Sequence, residues 1–528
     1  MADSFVLTER PWIPCERMDG TMVELSTHDA LVEAPSLRGI VDPSPLVVAV
    51  LHRHLLAIVH RVVSGPHDFE AWAAVVRAGR FEPVSVARYL EGVRDRMDLF
   101  HPDRPFAQVR GLVEQFPDYL DPIDQMGVER SSWGGARALF QHRPVGYRAI
   151  MSPAEAARAL LVHHAFGTGG LVKKPNEPTS ATAAPLVRSG VILLKGSSLF
   201  QTLVANLLPY DPTLEQPIAG TKDDAPAWEQ APLPRELRRS DEPKRVPLGW
   251  LDLLTWVSRR IELVREGDAV VSYVRAVGQG LAEGSPNDPM VSYRLDEKRG
   301  FVAVGVDLER AFWRDASALF ECARSRSGKY MRPRTLDHIA SLEAQEVIGS
   351  QTAYQIELTG IVADRSRVDA IRVERVWARA RYLDDADVRD AVTRMLTASN
   401  DGAAMLRSSL WTYARHMLSE GARDPATADI AKLVESLQSE PAFWAALGIE
   451  FDRALRAFDD GVDVAVQHFV AQVVHHARQA LRRATESADD TSRSLKARAL
   501  AQRALELGLA PMRRAVTPHE ESPEVPRV

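Results

Sequence analysis

The chain has 528 residues, and its 65 Lys and Arg against 71 Asp and Glu give a formal net charge of −6. This length excludes a small scaffold held by disulfide bonds, and the acidic balance confines any nucleic-acid site to a local basic patch. The two cysteines, Cys15 and Cys322, are too few for a four-cysteine zinc site, so we predict a cytoplasmic chain without a metal or cofactor.

The first forty residues predict a short β element followed by a helix. Phe5–Leu7 and Met22–Leu25 flank an Asp-Gly turn and are expected to pair with each other. Ser26 and Asp29 then have the spacing of a capped helix start. Met1–Arg10 has no apolar segment of the kind found in signal peptides, so we predict no export.

The longest apolar stretch runs from Pro45 to Val63, directly after the N-cap residue Ser44. His52, Arg53 and His54 interrupt it, so it is predicted to be a buried core helix and not a membrane span, which needs about 18 apolar residues. Further helices are predicted at Asp68–Ala78, Val84–Met97, Ser152–His164 and Ser198–Leu207.

A glycine-rich loop, Gly167-Thr168-Gly169-Gly170, follows the predicted helix at 152–164. It follows a helix and not a strand, so it is not a dinucleotide-binding fingerprint. Because glycine has no Cβ, such a loop lets another backbone or a nucleic acid approach closely; the alternative is a helix C-cap and turn. Lys173 and Lys174 come next, in a polar loop predicted over 173–185, and a Pro-rich loop is predicted over 211–246.

Strand-forming residues recur through the middle of the chain. Val291–Leu295 and Phe301–Val306 flank a short polar turn and predict a β-hairpin. Further extended segments are predicted at Leu186–Leu194, Leu253–Leu263, Val270–Val277 and Glu343–Ile361.

From about Asp385 onward proline becomes scarce and helical periodicity prevails. Four helices are predicted, at 385–421, 425–437, 440–459 and 462–514, the last with a break near Ala488. The predicted fold class is α+β, with a large mixed α/β domain over 1–380 and an antiparallel four-helix bundle over 381–516. Residues 517–528 are predicted to be a disordered tail.

Catalytic chemistry has only weak candidates in this sequence. His28-Asp29 and His67-Asp68 are dipeptides of the kind used by HD-type metal-dependent phosphohydrolases, but no further ligands at helical spacing accompany them. The alternative is two solvated loop or helix-cap pairs. His163-His164 and His475-His476 are neighbours that do not face one site on a helix, and Cys15 lacks the basic surroundings of a nucleophile. We therefore predict no catalytic residue and no metal ligand.

Basic residues cluster in three places. A charge run is usually a solvated face, but three runs in an acidic chain favour phosphate contacts. The runs are Arg324–Arg334, Arg365–Arg381 and Arg478–Arg514.

Five segments carry a resemblance to a known family. In chain order they are Leu7–Pro14 (LTERPWIP), Asp98–Pro102 (DLFHP), Arg104–Gln108 (RPFAQ), Pro226–Glu229 (PAWE) and Pro247–Arg260 (PLGWLDLLTWVSRR). Together they resemble, in the same order, the CasA family, the large subunit of the type I-E CRISPR Cascade surveillance complex. The segment Leu7–Pro14 has one residue more than the family's L-x-x-x-W-I-P strand. The family also has a C-terminal four-helix bundle, which agrees with the helices predicted from residue 385 onward.

The resemblance implies a non-catalytic subunit of a ribonucleoprotein complex. Such a subunit recognises the protospacer-adjacent motif in double-stranded target DNA, promotes duplex opening for R-loop formation and recruits a helicase-nuclease in antiviral defence. Its implied partners are target DNA, guide RNA, the other Cascade subunits and the helicase-nuclease, with no membrane. The family binds the motif from the minor groove, whose degenerate pattern implies tolerance of several motifs, while guide RNA pairing supplies the remaining specificity.

The resemblance also implies a DNA-binding loop and a wedge. The family's glycine loop corresponds to Gly167-Thr168-Gly169-Gly170, with Gly170 at the closest approach to the groove. The family's glutamine wedge corresponds to Gln355, with Tyr354 before it as an aromatic that stacks into the opened step. A difference of one residue in spacing leaves Gln351 open as the wedge, and a structural role is the alternative for all of these residues.

Two further positions are implied less directly. The family's lysine finger has no matching lysine here, and Arg275 is the nearest cation, which is suited to a minor groove; the alternative is a solvated arginine on a strand. Phe140 corresponds to a loop that contacts guide RNA and the neighbouring backbone subunit, and the alternative is a core aromatic. An assembly scaffold without DNA readout and an HD-type hydrolase are the two other functions that the sequence leaves open.

Overall fold

The computed structural model describes residues 4–128, 148–172, 174–209, 224–237, 243–285, 287–320, 329–364, 367–419, 424–486, 489 and 491–516. The chain divides into two compact units. The first takes in the residues up to Leu308 with Cys322–Arg375 and Arg379–Arg381, and the second takes in Glu309–Glu321, Val376–Ala378 and the residues from Tyr382 onward. The first unit mixes helices and strands and the C-terminal region is helical, as the sequence predicts at that level.

Several helices begin where the sequence supplies a cap. Ser26 and Asp68 accept hydrogen bonds from the first turns of their helices, and Ser152 forms a reciprocal capping box with Glu155. The helices up to residue 344 are α1 (Thr27–Val32), α2 (Pro45–Val62), α3 (Phe69–Ala78), α4 (Pro83–Val93), α5 (Leu112–Gln115), α6 (Pro153–Phe166), α7 (Leu199–Ala205), α8 (Trp250–Leu254), α9 (Ser317–Phe320) and α10 (Arg334–Ala344).

Most strands are short, and four strands have eight or more residues. The strands are β1 (Ile13–Arg17), β2 (Met22–Leu25), β3 (Leu37–Ile40), β4 (Asp121–Pro122), β5 (Gly170–Leu171), β6 (Ser180–Ala181), β7 (Val191–Lys195), β8 (Lys244–Arg245), β9 (Arg259–Glu266), β10 (Ala269–Val277), β11 (Gly280–Leu281), β12 (Tyr293–Asp296), β13 (Gly300–Ala303), β14 (Tyr330–Met331), β15 (Ala353–Asp364) and β16 (Arg367–Arg379). Within the described ranges they form six sheets, with orders β2-β1-β3, β4-β10-β9, β11-β8, β13-β12-β14, β16-β15-β7 and β5-β6.

The core of the first unit is built around α2, which packs against α4, α6, α7 and α8. The predicted core helix is confirmed, and the polar residues that interrupt it are themselves buried. Arg53 lies 2.8 Å and 3.1 Å from the carboxylate oxygens of Asp288, so its charge is paired inside the core. By length and composition alone α2 also qualifies as a membrane span, and 83% of that segment is buried within the protein.

Three sequence predictions are wrong about local pairing or type. Met22–Leu25 pairs with β1 and not with Phe5–Leu7, because β1 and β2 are joined by a turn of four residues. Leu253–Leu263 is split between α8 and β9, since the carboxylate of Asp224 accepts hydrogen bonds from the N-terminal amides of α8 at 3.1 Å. Glu343–Ile361 is extended only from Ala353, because the buried stripe of α10 continues the helix to Ala344.

Most other predicted elements agree with the structure to within three residues, but the strand predicted at Leu186–Leu194 begins only at Val191, after a turn. The helix predicted at Val84–Met97 ends as a 3₁₀ turn over Arg94–Met97, and the predicted hairpin is the antiparallel pair of β12 and β13. The loop predicted over 173–185 contains β6, which pairs with β5. Half of the loop predicted over 211–246 lies outside the described residues.

The second unit has five helices among its described residues from 382 onward. They are α11 (Ala386–Leu418), α12 (Thr427–Ser436), α13 (Ser439–Ala457), α14 (Val462–Glu486) and α15 (Ser492–Val516). α14 ends at Glu486 and α15 begins at Ser492, while Ala488, where the break is predicted, lies outside the described residues. The predicted apolar stripe of α14 is largely buried, with Phe469, Val473 and Ala477 at its centre. The predicted tail over 517–528 lies outside the described residues.

Candidate nucleic-acid interface

The glycine loop leaves the C-terminus of α6, and two of its glycines are required by the protein's own packing. A Cβ on Gly167 would lie 2.4 Å from the carbonyl oxygen of His163, and a Cβ on Gly169 would lie 2.8 Å from the amide nitrogen of Ala183. Both distances are well inside van der Waals contact with backbone atoms. Gly167 and Gly169 therefore have a structural explanation that involves no ligand.

Gly170 differs from the other two glycines. Its φ of +140° is a conformation that residues with a Cβ rarely adopt, and it opens β5 opposite Ala181. The next residue, Leu171, is 65% exposed, so the β5–β6 pair presents an accessible face at this point. Gly170 itself is half-buried, and it is the residue for which the family resemblance implies the closest contact.

A buried arginine holds the base of the loop. The guanidinium of Arg259, on β9, donates to the carbonyl oxygens of Thr168, at 3.3 Å, and Thr182. It thereby ties the glycine loop to the chain that precedes β7. The role of Arg259 was not predicted from the sequence. The signal that could have indicated it is the pair Arg259-Arg260 at the start of an apolar strand, because a strand of this kind usually begins with no more than one solvated arginine.

The adjacent Arg260 fixes the loop over 174–185. Its side chain is fully buried and forms an ion pair with the equally buried Glu177, which also accepts a hydrogen bond from Leu237 N at 3.2 Å. Arg260 Nε donates to Val277 O at 2.6 Å. The loop is therefore held to the sheet by a buried charge pair that sequence reasoning did not identify.

Arg275 lies on β10, as predicted, but its guanidinium is engaged within the protein. Its Nε is 3.1 Å from an Asp121 carboxylate oxygen, and the side chain is only 16% exposed. Lys174 is electrostatically coupled to both Asp121 and Arg275, and burial lowers the pKa of its ammonium. Its Nζ lies 4.6 Å from the ring centroid of Tyr119. Three charged groups thus converge beside the segment that follows the glycine loop.

Apolar packing connects that segment to β10. Val172, two residues after Gly170, belongs to a buried cluster with Ala181 and Val277, the last residue of β10. The structure thus brings the glycine loop and the strand of Arg275 together, although the two lie in different sheets.

Tyr354 and Gln355 lie at the start of β15 and point to opposite faces of its sheet. Tyr354 is half-buried, and burial raises the pKa of its phenol to about 12. Gln355 is exposed and pairs with Lys195 of β7 in the antiparallel register. Glu357, on the same face two residues later, is 2.8 Å from Arg375. The amide of Gln355 is therefore flanked by charged side chains and open to solvent.

Gln351 is also exposed, in the turn before β15. Its carbonyl oxygen accepts a hydrogen bond from Arg379 at 2.8 Å, so its backbone is fixed while its side chain is accessible. The geometry leaves both Gln351 and Gln355 as wedge candidates, and the sheet of Gln355 is separate from those of Gly170 and Arg275. Phe140 lies outside the described residues.

The residues considered for metal or nucleophilic chemistry have structural surroundings. Asp68 caps α3, and the neighbouring His67 is exposed. Near the start of α1, Nδ1 of His28 lies 3.0 Å from Oδ1 of Asp29. Burial raises the pKa of the Cys15 thiol to about 12, which disfavours the thiolate that a nucleophile needs. Across the described ranges, no group of three or more His, Cys, Asp or Glu side chains could hold a metal ion.

Many residues of the basic runs form ion pairs within the chain. Arg332 pairs with Asp337, Arg375 with Glu357 and Arg478 with Glu506, so these guanidinium groups are partly neutralised. Exposed cations without an ion pair in the described part remain on α14 and α15. They are Arg482, Arg483, Arg493, Lys496, Arg503 and Arg514.

Comparison with known proteins settles the family. The profile of the family described as CRISPR-associated protein Cse1 (CRISPR_cse1) matches residues 7–488. The chain belongs to the Cse1 family. A relative, the CRISPR-associated protein CasA/Cse1 of Thermus thermophilus, is 34% identical over 456 residues, or 85% of this chain and 87% of the relative. The family resemblance predicted from five short segments is thereby confirmed.

Solved structures of Cse1 proteins share the fold. The crystal structure of CasA from Thermus thermophilus is similar with a TM-score of 0.80 and 30% identity, covering 96% of this chain and 100% of that one. A chain of a structure described as a CRISPR RNA-guided surveillance complex has a TM-score of 0.69 and 20% identity, covering 95% of this chain and 99% of that one. At that identity the second similarity is one of fold.

Proposed function

We propose that this Cse1 family member is the non-catalytic large subunit of a type I-E Cascade complex. In this role it recognises the protospacer-adjacent motif of target double-stranded DNA from the minor groove and promotes duplex opening for R-loop formation. It also recruits the helicase-nuclease. Its partners are then target DNA, guide RNA and the other Cascade subunits, and it acts in the cytoplasm. Family membership and the shared fold of a surveillance-complex chain support this assignment.

The observation that carries the proposal is the geometry of Gly170. Its positive φ and its place at the start of β5, next to the exposed Leu171, support a backbone contact where the family resemblance puts the groove. The neighbouring Gly167 and Gly169 are explained by internal packing, so they position the loop while Gly170 makes the contact. Lys174 and Arg275 supply positive charge beside this segment. Arg275 enters a groove only by leaving Asp121, so we assign it a supporting contact.

The family resemblance also supplies roles for the wedge residues, for Phe140 and for the two domains. Gln355 acts as the wedge with Tyr354 stacking beside it, and Phe140 contacts the guide RNA and the neighbouring backbone subunit. The large domain spans 1–380 and binds the motif. Four of the five helices over 381–516 form an antiparallel four-helix bundle, and exposed cations on α14 and α15 contact phosphates or other subunits.

Gly170→Asp tests the loop. A carboxylate at the point of approach repels phosphates and blocks the groove, so duplex binding by the reconstituted complex is expected to fall at least about tenfold. Gly79→Asp is the matched control, because Gly79 also has a positive φ and its Cβ position is open. The measurement is binding of matched and scrambled motif duplexes at one salt concentration, with and without this chain. Equal affinity for both duplexes, unchanged by Gly170→Asp, would show a scaffold without DNA readout.

Gln355→Ala and Gln351→Ala decide the position of the wedge. Loss of the wedge is expected to slow duplex opening while motif binding remains, because unstacking a base step costs a few kcal/mol that the wedge offsets. Opening is followed by the fluorescence of a base analogue next to the motif. Slower opening in Gln355→Ala alone supports the proposal, slower opening in Gln351→Ala alone moves the wedge to Gln351, and two normal variants reject both.

A further inference from the structure

One face of the sheet formed by β7, β15 and β16 carries charged side chains beside the exposed Gln355. Lys195 ends β7 and is the cross-strand partner of Gln355 in the antiparallel register. Partners of this kind lie on the same face of a sheet, with Cβ atoms about 4.5–5.5 Å apart. Lys195 is therefore an immediate neighbour of the side chain that is proposed above as the wedge.

A buried carboxylate on the same face holds an arginine in place. Glu357 lies two residues after Gln355 on β15, is buried, and accepts a hydrogen bond from Arg375 Nε at 2.8 Å. Arg375 lies on β16, and its side chain is 57% exposed. The two terminal nitrogens of its guanidinium have no hydrogen-bond partner in the described part of the chain. Arg375 is thus fixed through Nε while its outer donors remain available.

Lys195 is the second cation of this cluster. Burial lowers the pKa of its ammonium, attraction to Glu357 raises that pKa and repulsion from Arg375 lowers it, so the three charges lie within electrostatic range of one another. Lys195 is half-buried, and its ammonium forms neither an ion pair nor a hydrogen bond with another described residue. Two cations around one carboxylate leave an excess positive charge next to Gln355, and an arriving anion would stabilise the partly desolvated ammonium.

DNA that is opened at Gln355 brings a phosphate close to this cluster. Successive phosphates of one strand lie about 3.4 Å apart along the duplex axis. A side chain that separates the bases at one step therefore has a backbone phosphate within reach of its cross-strand neighbour. Lysine supplies a point charge and arginine a fork of donors, and both groups bind phosphate oxygens.

We propose that Lys195 and Arg375 bind the backbone phosphate of target DNA next to the base step that Gln355 opens, and that Glu357 positions Arg375. Gln355 separates the bases, and the two cations hold the backbone of the opened strand so that the step does not close. This inference rests on the function proposed above and adds a phosphate site to it.

Duplexes in which one phosphate at a time is replaced by an uncharged methylphosphonate test this site. Each duplex is bound by the reconstituted complex with the wild-type chain and with Lys195→Met, which removes the charge and keeps a flexible apolar stem. We expect one position beside the opened step at which the replacement weakens wild-type binding about fivefold. The same replacement should have little effect on Lys195→Met, because the lysine and the phosphate act as a pair. Arg375→Gln, which retains a donor for Glu357, should lose sensitivity to the same phosphate.

The salt dependence of binding is an independent readout. Loss of one phosphate contact lowers the slope of log K against log salt concentration by about 0.9, so Lys195→Met should show this change together with slower duplex opening. Lys195→Arg keeps the charge and should keep the wild-type slope. Lys298→Met is the matched control, because Lys298 is exposed in the turn between β12 and β13 and its loss changes the net charge equally. Its slope should equal that of the wild type.

The outcomes separate this site from the proposed function. Loss of sensitivity to one phosphate in Lys195→Met or Arg375→Gln, with a reduced salt slope, supports the site. A wild-type complex that prefers the matched motif but has no sensitive phosphate beside the opened step overturns the site and leaves the proposed function intact, as does sensitivity that both variants retain. Equal wild-type binding of matched and scrambled duplexes overturns both.

Discussion

At the scale of single residues, the buried pair of Glu177 and Arg260 anchors the loop that follows the glycine segment. The two side chains are 2% and 0% exposed, so Glu177→Gln leaves a buried guanidinium without its counter-charge. We expect the free energy of unfolding to fall by about 3–5 kcal/mol, measured by urea denaturation. Glu70→Gln breaks an exposed pair with Arg77 and should cost less than about 1 kcal/mol. Similar losses in the two variants would contradict the role of burial.

At the scale of elements, close packing between helices of the second unit depends on a glycine. A Cβ on Gly402 of α11 would lie 2.5 Å from Val473 Cγ1 on α14 and 3.3 Å from Phe443 Cζ on α13. Gly402→Val is therefore expected to lower the free energy of unfolding by about 1–3 kcal/mol through overpacking. Asp401→Val, on the exposed face one residue earlier, should change it by no more than about 0.5 kcal/mol. Chemical denaturation of both variants measures the difference. If Gly402→Val left the free energy of unfolding unchanged, the helices would have to move apart at little cost.

At the scale of the whole molecule, buried neutral histidines make stability depend on pH. Burial lowers the pKa of His54, His60 and His338 to about 3 and that of His164 to about 4, against 6.5 as the ordinary value. The unfolded chain therefore binds more protons below pH 6.5. The contribution of these histidines to the free energy of unfolding is therefore complete above pH 6.5. It decreases as the pH falls toward 3, by about 1.4 kcal/mol per pH unit for each histidine.

Urea unfolding at several pH values between about 5 and 8 measures this dependence. The double variant His54→Phe, His338→Phe should show a shallower decline, because two of the titrating groups are gone. A urea midpoint of unfolding that stays constant from neutral pH to about pH 5 would contradict the assignment of these histidines as buried and neutral.

The site was predictable where the signal is local in sequence. The helix that ends before Gly167 follows from its capping box, and the strand of Arg275 follows from its β-branched residues. The roles of Arg259 and Glu177 were not predictable, because their partners lie about eighty residues away in the chain. The pairing of Arg275 with Asp121 was likewise invisible, since a surface arginine and an ion-paired one look alike in sequence.

The sequence by itself determined the family, through five ordered segments, and the type of most elements, through caps and apolar periodicity, because these signals depend on neighbours within a few residues. Only the tertiary structure showed that internal packing requires Gly167 and Gly169, because that depends on the backbone atoms of His163 and Ala183. It also decided that His54 is buried with no hydrogen-bond partner in the described part of the chain, since burial is a property of the packed chain and not of any segment.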